Sequence, residues 1–486
     1  VDITMMSSGN NQLLLLDNNA KSEDIVDDEE RDTFNGLKGL KQSVQPLRRS
    51  KTMELISAQP LRHILSLSQT PCFGFDIGGS LTKISFFEPS RNSRWNVHDK
   101  VKAKFVTSST KYGDSGIRDQ KLSFPWRNGT FHFIHFQTHR MSEAVSMFKT
   151  ENLLQKNEVF YATGGGAHKY SKFLTNELTV RVKKGDELSC LISGLNFLLN
   201  HVPDECYYLS DPASKKPSPK ISWNIKKEGS VFPYLLVNCG SGVSILKVDS
   251  PTQFERVSGT QIGGGTYWGL CRLCSYSVLR GDNNKKNNGG QGLSEEKKND
   301  IECTSPETLT FKKAFELAMK GNAKKVNMLV SDIYGGDYPQ CNLPGDLVAS
   351  AFGKCISIKD PAKSLSMGDI ARGLLDVIAM NCAQLAYLNA VRFKITRIIF
   401  AGNFLRQNDL SMAMISYAIH YWSQGVMKAC FVKHEGYFGS IGVMLLPDKE
   451  LITDDDDEVN NNNDENTKNN EKSNEVLTTI EETTTQ

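Results

Sequence analysis

The chain has 486 residues, 57 Lys plus Arg against 55 Asp plus Glu, a formal charge of +2, and 39% hydrophobic residues. That length allows roughly three domains, or two large lobes with tails, and the balanced charge excludes a generically basic nucleic-acid binder or a supercharged membrane-surface protein. No apolar run approaches the roughly 18 residues of a membrane span, Leu13 to Leu16 lacks the flanks of a signal peptide, and the scattered cysteines read as reduced thiols, so an intracellular, cytoplasmic protein is expected.

Residues 1–67 carry an acidic run from Glu23 to Asp32 and a basic patch at Arg48, Arg49 and Lys51. They read as a disordered or regulatory leader, with Arg49-Ser50-Lys51-Thr52 a candidate site for a basophilic kinase. Residues 68–233 and 234–449 read as the N-terminal and C-terminal lobes of a core, the second interrupted by a low-complexity surface insertion at 281–300. Residues 450–486 form an acidic, Asn-rich stretch that cannot bury a core and reads as a disordered tail. The leader carries a charge of −2 and the tail −10, which leaves +14 on the body. A cationic body of this kind attracts anionic ligands.

Within the body, Phe73 to Asp76, Lys83 to Phe87, Val159 to Ala162, Tyr234 to Val237, Ser244 to Val248 and Arg397 to Ala401 are predicted strands bounded by glycines or turn residues. Asp186 and Glu187 open a helix continued by Leu191, Leu195 and Leu198. A longer helix follows Ser366, whose hydroxyl is placed to cap its start with Asp369 three residues on, and Ile370, Leu374, Ile378, Cys382 and Leu385 fall on one face. Strands alternating with helices indicate an α/β architecture. Cys271 and Cys274 form a C-x-x-C, but no second pair stands near, and Leu270 and Leu273 around them suggest a packed helix rather than zinc.

An approximate internal repeat is the most informative feature. Phe73-Gly-Phe-Asp-Ile-Gly-Gly-Ser-Leu-Thr-Lys83 aligns with Leu235-Leu-Val-Asn-Cys-Gly-Ser-Gly-Val-Ser-Ile245 at an offset of 162, placing Asp76 on Asn238 and Gly78 on Gly240. Each copy reads as a hairpin with a glycine-rich turn, and two copies suggest two lobes of related topology facing a cleft. In the first, Gly78 and Gly79 let backbone N–H groups meet phosphate oxygens, and Ser80 adds a hydroxyl. Asp76 suits Mg²⁺, directly or through water, and Lys83 brings a positive charge to a transferring phosphoryl group. The competing reading is a tight hairpin with Asp76 capping its turn. Further glycines follow predicted strands at Gly164 to Gly166 and Gly402-Asn403, and Gly263-Gly264-Gly265-Thr266 precedes an apolar stretch that can present a helix N-terminus to an anion. Gly353-Lys354 is followed by Cys355, so there is no Walker A signature. The base such a phosphotransferase needs is Asp186 or Glu187, both also suited to a helix start.

The segments FGFDIGGSLTKISFFEP, YATGGGAHKY, GDELSCLISGLNFLL, LLVNCGSGVSILKVDS, RVSGTQIGGGTYWGLC, SDIYGGDYP, VASAFG, RIIFAGNFLR and HEGYFGSIG, in that order, resemble the eukaryotic-type (type II) pantothenate kinases of the actin, sugar-kinase and Hsp70 ATPase superfamily. The resemblance spans about Phe73 to Leu446. It implies a two-lobed actin-like ATPase (ribonuclease H-like) fold with disordered tails, and ATP- and Mg²⁺-dependent phosphorylation of pantothenate to 4′-phosphopantothenate, the first step of coenzyme A synthesis. By the same resemblance Glu187 is the general base and Lys83 assists transfer. Asp76, Gly78, Gly79, Ser80, Gly240, Ser241, Gly242, Gly263, Gly264, Gly265 and Asn403 serve the nucleotide phosphates and metal, and Ser241, Ser244 and Arg256 hold pantothenate, Arg256 on its carboxylate. Also implied are a homodimer and inhibition by acetyl-CoA or other acyl-CoA thioesters, with Ala349 and Trp422 where the dimer and the acyl tail meet. Departures are the insertion, Cys239 in place of an aliphatic residue, and the bulk of Trp268 near a phosphate turn. A non-catalytic acyl-CoA sensor on the same fold and a sugar kinase are the alternatives. The presence of Lys83, Glu187 and Arg256 argues against the first, and Arg256 favours a carboxylate-bearing acceptor over the second.

Overall fold

The computed structural model describes residues 72–89, 111–112, 116–150, 154, 158–214, 218–223, 230–286, 309–341, 343–406 and 408–453. The predicted leader with its phosphorylation candidate, the insertion from residue 287 on and the tail from residue 454 on lie outside the described residues. The described chain falls into two compact units, one running from Cys72 to Pro203 and resuming at Gly436, the other Asp204–Glu435. Compactness thus divides the chain at Pro203 and at Glu435, where the sequence suggested a boundary at 233. The reason is pairing: the strand Cys206–Leu209 runs antiparallel to Lys428–Val432 in the second unit's sheet.

The first unit is built on β1 (Cys72–Ile77), β2 (Leu81–Pro89), β3 (Gly129–Gln137), β4 (Val159–Thr163) and β5 (Arg181–Gly185). Their order across the sheet is β3-β2-β1-β4-β5, with β1, β2 and β3 antiparallel and β4 and β5 parallel to β1. Side chains of successive strand residues point to opposite faces, so Phe73, Phe75 and Ile77 line up with Ile84, Phe86, Ile134 and Phe136 on one face. That face is covered by Met141, Val145 and Phe148 of helix Met141–Thr150 and by Ala167 and Leu174 of helix Gly165–Leu178. On the opposite face Gly74 lets the short helix Phe438–Gly442 approach, since a Cβ at Gly74 would stand 1.9 Å from the Ser440 carbonyl oxygen. The same short helix meets helix Glu187–His201 backbone to backbone: a Cβ at Gly442 would lie 1.7 Å from the Cys190 oxygen.

The second unit repeats the plan with β6 (Tyr234–Cys239), β7 (Val243–Val248), β8 (Phe254–Thr260), β9 (Arg397–Ala401) and β10 (Lys428–Val432). Their order is β8-β7-β6-β9-β10, again three antiparallel strands followed by two parallel ones. β1 and β6 are offset by 162 residues and share one burial pattern, with only Asp76 or Asn238 partly exposed. Two sheets of this order in one chain are the ribonuclease H-like plan, duplicated as in actin-like ATPases, which is the α/β core expected from the sequence.

The repeat slips at its turn, however. Asp76 pairs with Lys83, whereas Asn238 pairs with Ser244, so the residue opposite Asn238 is Ser244 and not the aligned Ile245. The second turn is one residue tighter, and a one-residue slip exchanges the faces of the strand.

The core of the second unit gathers around helix Met367–Arg392. Ser366 caps it as predicted: its hydroxyl accepts from the Asp369 N–H at 3.1 Å, and the Asp369 carboxylate accepts from the Ser366 N–H at 3.0 Å. Ile370, Leu374, Ile378 and Cys382 are buried, and Leu385 packs at the margin. This helix is long and apolar enough, by length and composition, to cross a membrane. It is also the core helix of its unit and buries Asp369, Arg372 and Asp376, the last two in an ion pair of 2.9 Å, which a lipid-facing span would not do.

Helix Gly264–Lys286 runs into the first residues of the predicted surface insertion. Cys271 of the C-x-x-C is buried in the core cluster beside Tyr267, and burial pushes its thiol up to about 12, so it is an inert packing residue. The bulk of Trp268 is taken up by packing edge-on against Phe311, ring centres 6.0 Å apart.

Candidate active site

In the first unit Asp76, Lys83 and His135 stand directly opposite one another across β1, β2 and β3, forming one polar row on the face opposite Phe73, Phe75 and Phe86. Lys83 Nζ lies 3.6 Å from Asp76 Oδ2, with both side chains largely shielded. The turn after β1 is held tightly. The Gly78 N–H donates to the Leu81 carbonyl at 3.1 Å, and the Thr138 hydroxyl donates to the Gly78 carbonyl at 2.8 Å. The Thr138 N–H donates to the Ser80 carbonyl at 3.0 Å. Gly79 and Ser80 remain exposed. Asp76 is thus a strand residue paired with Lys83, and Thr138 rather than Asp76 pins the turn.

Two glycines make room around the Asp76 carboxylate. Gly164, after β4, has φ +83°, which disfavours any side chain, and a Cβ there would stand 2.9 Å from Asp76 Oδ1. A Cβ at Gly439 would stand 3.1 Å from Asp76 Oδ2. A partly exposed carboxylate with space at both oxygens fits the one-carboxylate-plus-water habit of Mg²⁺.

The structure separates the two candidate bases. Asp186 is the N-cap of helix Glu187–His201, and its Oδ1 accepts from both the Ser189 N–H and the Ser189 hydroxyl at 2.8 Å. That carboxylate is committed to the helix start. Glu187, the first residue of the helix, carries a carboxyl raised above its ordinary range, first by partial desolvation, then by Asp76 and Asp186, against the pull of Lys83. The residue is exposed overall, so solvent screens the effect. The charges that act on Glu187 are those of Asp76, Asp186 and Lys83.

In the second unit the three glycine segments meet by backbone contact. The Gly264 and Gly265 N–H groups donate to the Gly240 and Ser241 carbonyls, each at 2.9 Å, and the Phe404 N–H donates to the Cys239 carbonyl at 3.1 Å. Gly402 has φ +105°, and a Cβ there would lie 2.4 Å from that Cys239 oxygen. The sequence reading took the Gly263 to Gly265 turn as a helix N-terminus offered to an anion. Two of its leading N–H groups are instead spent on the neighbouring turn, so its evident role is to lock the Gly240 to Gly242 turn in place.

Asn403 lies partly buried in the turn after β9. Arg256 on β8 reaches across to β7, its Nε donating to the Ser244 hydroxyl at 3.0 Å. That contact orients the guanidinium and leaves its two terminal nitrogens available for a carboxylate. Ala349 is exposed on the small strand Val348–Ser350, while Trp422 ends helix Asp409–Trp422 with its ring 5.8 Å from that of Tyr387. The two stand on separate elements.

The sequence reading did not single out Thr138, His135, Gly436 or Gly439. The last two sit in the segment HEGYFGSIG, whose glycine spacing was the available signal. His135 and Thr138 needed the β2–β3 register, which no local pattern gives.

The Fumble family profile matches residues 72–277 and 304–446. Pantothenate kinase 2 of Arabidopsis thaliana is 36% identical over 393 residues, covering 78% of this chain and 39% of that protein. Pantothenate kinase 1 of the same plant is 34% identical over 388 residues, covering 77% of this chain and 85% of that protein. A mouse 4′-phosphopantetheine phosphatase is 33% identical over 395 residues, 80% of this chain and 42% of that protein. The chain therefore spans about two fifths of the length of some of the relatives it matches and most of others. Among solved structures, a ROK family glucokinase from Streptomyces griseus in complex with glucose and AMPPNP aligns with a TM-score of 0.36 at 11% identity, covering 77% of this chain and 98% of that one. The profile match over most of the body and the identity to a kinase covered for most of its length lead to one conclusion: the chain belongs to the Fumble family, the family of the eukaryotic-type pantothenate kinases.

Proposed function

We propose that this protein transfers the γ-phosphoryl group of ATP to the primary hydroxyl of pantothenate, giving 4′-phosphopantothenate and ADP. The observation that carries the proposal is the Lys83–Asp76 pair with a Glu187 carboxyl raised above its ordinary range by partial burial and by Asp76, Asp186 being committed elsewhere. A base whose affinity for protons is raised above that of an ordinary carboxylate accepts the hydroxyl proton more readily as the oxygen attacks. Glu187 takes that proton while the acceptor oxygen bonds to phosphorus and the bond to the ADP oxygen breaks. Lys83 offsets the charge on the phosphoryl oxygens, and Asp76 holds Lys83 in place.

Asp76 is also the residue that would hold Mg²⁺, directly or through water, and the ion would supply charge neutralisation at the phosphates. The Gly78 to Ser80 turn and the Gly240 to Gly242 turn, the latter braced by Gly263 to Gly265 and backed by Asn403, are the proposed phosphate-facing segments. Arg256, oriented by Ser244, is the proposed partner of the pantothenate carboxylate, with Ser241 on the same substrate.

Feedback inhibition by acyl-CoA, a homodimer, contributions of Ala349 and Trp422 to both, and a cytoplasmic location complete the proposal on the strength of family membership. The test is turnover of the purified protein with ATP and pantothenate, with and without acetyl-CoA. Phosphopantothenate formation that acetyl-CoA suppresses supports the reading, and no product at any substrate concentration refutes it.

A further inference from the structure

Where the chain resumes the first unit it carries two glycines three residues apart, Gly436 and Gly439, and each faces one member of the Lys83–Asp76 pair. The three atoms nearest to a Cβ built on Gly436 all belong to Lys83: Cε at 3.1 Å, Nζ at 3.3 Å and Cδ at 3.4 Å. The lysine stem and ammonium therefore lie where any other side chain at 436 would project. Gly436 also has φ +83°, which an L side chain rarely adopts, so both its conformation and the space beside it call for glycine.

The segment is pinned to the sheet at two points. Tyr437 is fully buried, its ring centre 4.9 Å from that of Phe133 on β3, and its hydroxyl donates to Asp119 Oδ2 and lies 3.2 Å from His135 Nδ1. The Asp119 N–H in turn donates to the Phe133 carbonyl at 2.9 Å, so this anchor is itself attached to β3. Three residues after Tyr437, the Ser440 hydroxyl donates to the Tyr437 carbonyl at 2.9 Å and lies 2.6 Å from the Ser85 hydroxyl. Ser85 is two residues beyond Lys83 on β2 and so shares its face. Residues 436–440 are thus held against the strands that carry Lys83.

We propose that Gly436 and Tyr437 are positioning residues for Lys83: Tyr437, anchored to Asp119, holds the segment on the sheet, and Gly436 sets how closely its backbone bears on the lysine. Lys83 Nζ is thereby confined between Asp76 Oδ2, 3.6 Å away, and the Gly436 backbone. The effect on turnover rests on the kinase reading, whereas the confinement of the side chain does not.

Two substitutions loosen this brace in different ways. Gly436→Ala adds a Cβ against the lysine stem, and Tyr437→Phe removes the bond to Asp119 while keeping the ring on Phe133. Each is made in the wild-type and in the Lys83→Ala background and assayed below its melting temperature, since Ala at φ +83° is strained. A residue that acts through Lys83 has no effect once Lys83 is gone, whereas a merely structural one costs the same in both backgrounds. The second readout needs no turnover: the rate at which Lys83 is acylated by an N-hydroxysuccinimide ester, followed by peptide mass spectrometry, with Lys149 as the reference.

A displacement of a few tenths of an ångström predicts a kcat about threefold to tenfold lower in each variant, with KM for pantothenate near wild type. In the Lys83→Ala background neither substitution should change kcat by more than about twofold, and Lys83 should be acylated severalfold faster in both variants while Lys149 keeps its rate. A wild-type kcat in either variant, or the same loss in both backgrounds, overturns the proposal. Where turnover in Lys83→Ala is too slow to compare, the acylation rate decides: an unchanged rate at Lys83 overturns the brace and a faster one supports it. If the wild-type protein does not phosphorylate pantothenate at all, the functional reading fails, and the same acylation rates still decide whether Gly436 and Tyr437 hold Lys83.

Discussion

Gly439 gives the sharpest link between packing and chemistry in this molecule. A Cβ added there would lie 3.1 Å from Asp76 Cγ, 3.1 Å from Oδ2 and 3.3 Å from its Cβ, and those are its three nearest neighbours. Ordinary contacts fall between 3.4 and 4 Å, so Asp76 must retreat by a few tenths of an ångström. Displacement of a catalytic group by about 1 Å costs on the order of a hundredfold, so a shift of a few tenths corresponds to roughly threefold to tenfold in kcat. The backbone of Gly439 lies in helix Phe438–Gly442, and Ala in place of Gly favours a helix by up to about 1 kcal/mol, which offsets the crowding. Gly439→Ala is therefore expected to melt within a few degrees of wild type while losing roughly threefold to tenfold in kcat, with a higher Mg²⁺ concentration at half-maximal rate. Steady-state kinetics over a Mg²⁺ titration, beside a thermal melt, measure both. Wild-type kcat and Mg²⁺ dependence in a folded Gly439→Ala protein would refute the claim that Asp76 position matters to the reaction.

Four other outcomes follow from the same geometry. Gly442→Ala, whose Cβ would meet the Cys190 oxygen at 1.7 Å, should destabilise the protein by about 3 kcal/mol or more, read from denaturant unfolding, because the atoms it meets are helix backbone and yield little. Asp186→Ala should cost about 1 kcal/mol as a lost N-cap yet keep most of its turnover, and a collapse of kcat there would reassign the base. In wild type, kcat should rise with pH through the raised titration of Glu187, since the base acts in its ionised form, lost as pH falls. A rate profile flat to well below the ordinary carboxylate range would contradict that role. Arg256→Lys should raise KM for pantothenate about tenfold with kcat little changed, as a point charge replaces a planar fork held by Ser244, and an unaltered KM would remove Arg256 from the substrate.

Much of this arrangement was legible in the sequence because it is local. The Phe73 to Lys83 hairpin, the glycines that follow β4 and β9, and the Ser366 capping box are each set by residues within a few positions of one another. The 162-residue repeat, read from hairpin similarity alone, corresponds strand for strand to two sheets of one order. What escaped was set by pairing between distant segments. The slip that puts Ser244 opposite Asn238 depends on how tightly a turn closes, which glycine content does not tell. Asp186 and Glu187 are adjacent and chemically alike, and only the bonds from Ser189 to Asp186 assign one to the cap. The row from Asp76 through Lys83 to His135 joins residues whose neighbourhood is created by sheet register, so sequence spacing carried no trace of it. β5 was missed for a related reason: Arg181-Val-Lys-Lys-Gly185 has a single large apolar residue and is a strand because β4 and Leu451–Ile452 flank it.

The central claim is that Glu187 is the base for phosphoryl transfer to pantothenate, and product formation by wild type and Glu187→Gln measures it most directly. With ATP, Mg²⁺ and pantothenate, wild type should accumulate 4′-phosphopantothenate and ADP in equal amounts. Glu187→Gln should fall by about a hundredfold to ten-thousandfold, the usual contribution of a general base, while still binding nucleotide. Stoichiometric product from Glu187→Gln at the wild-type rate, or none from wild type, would contradict the account.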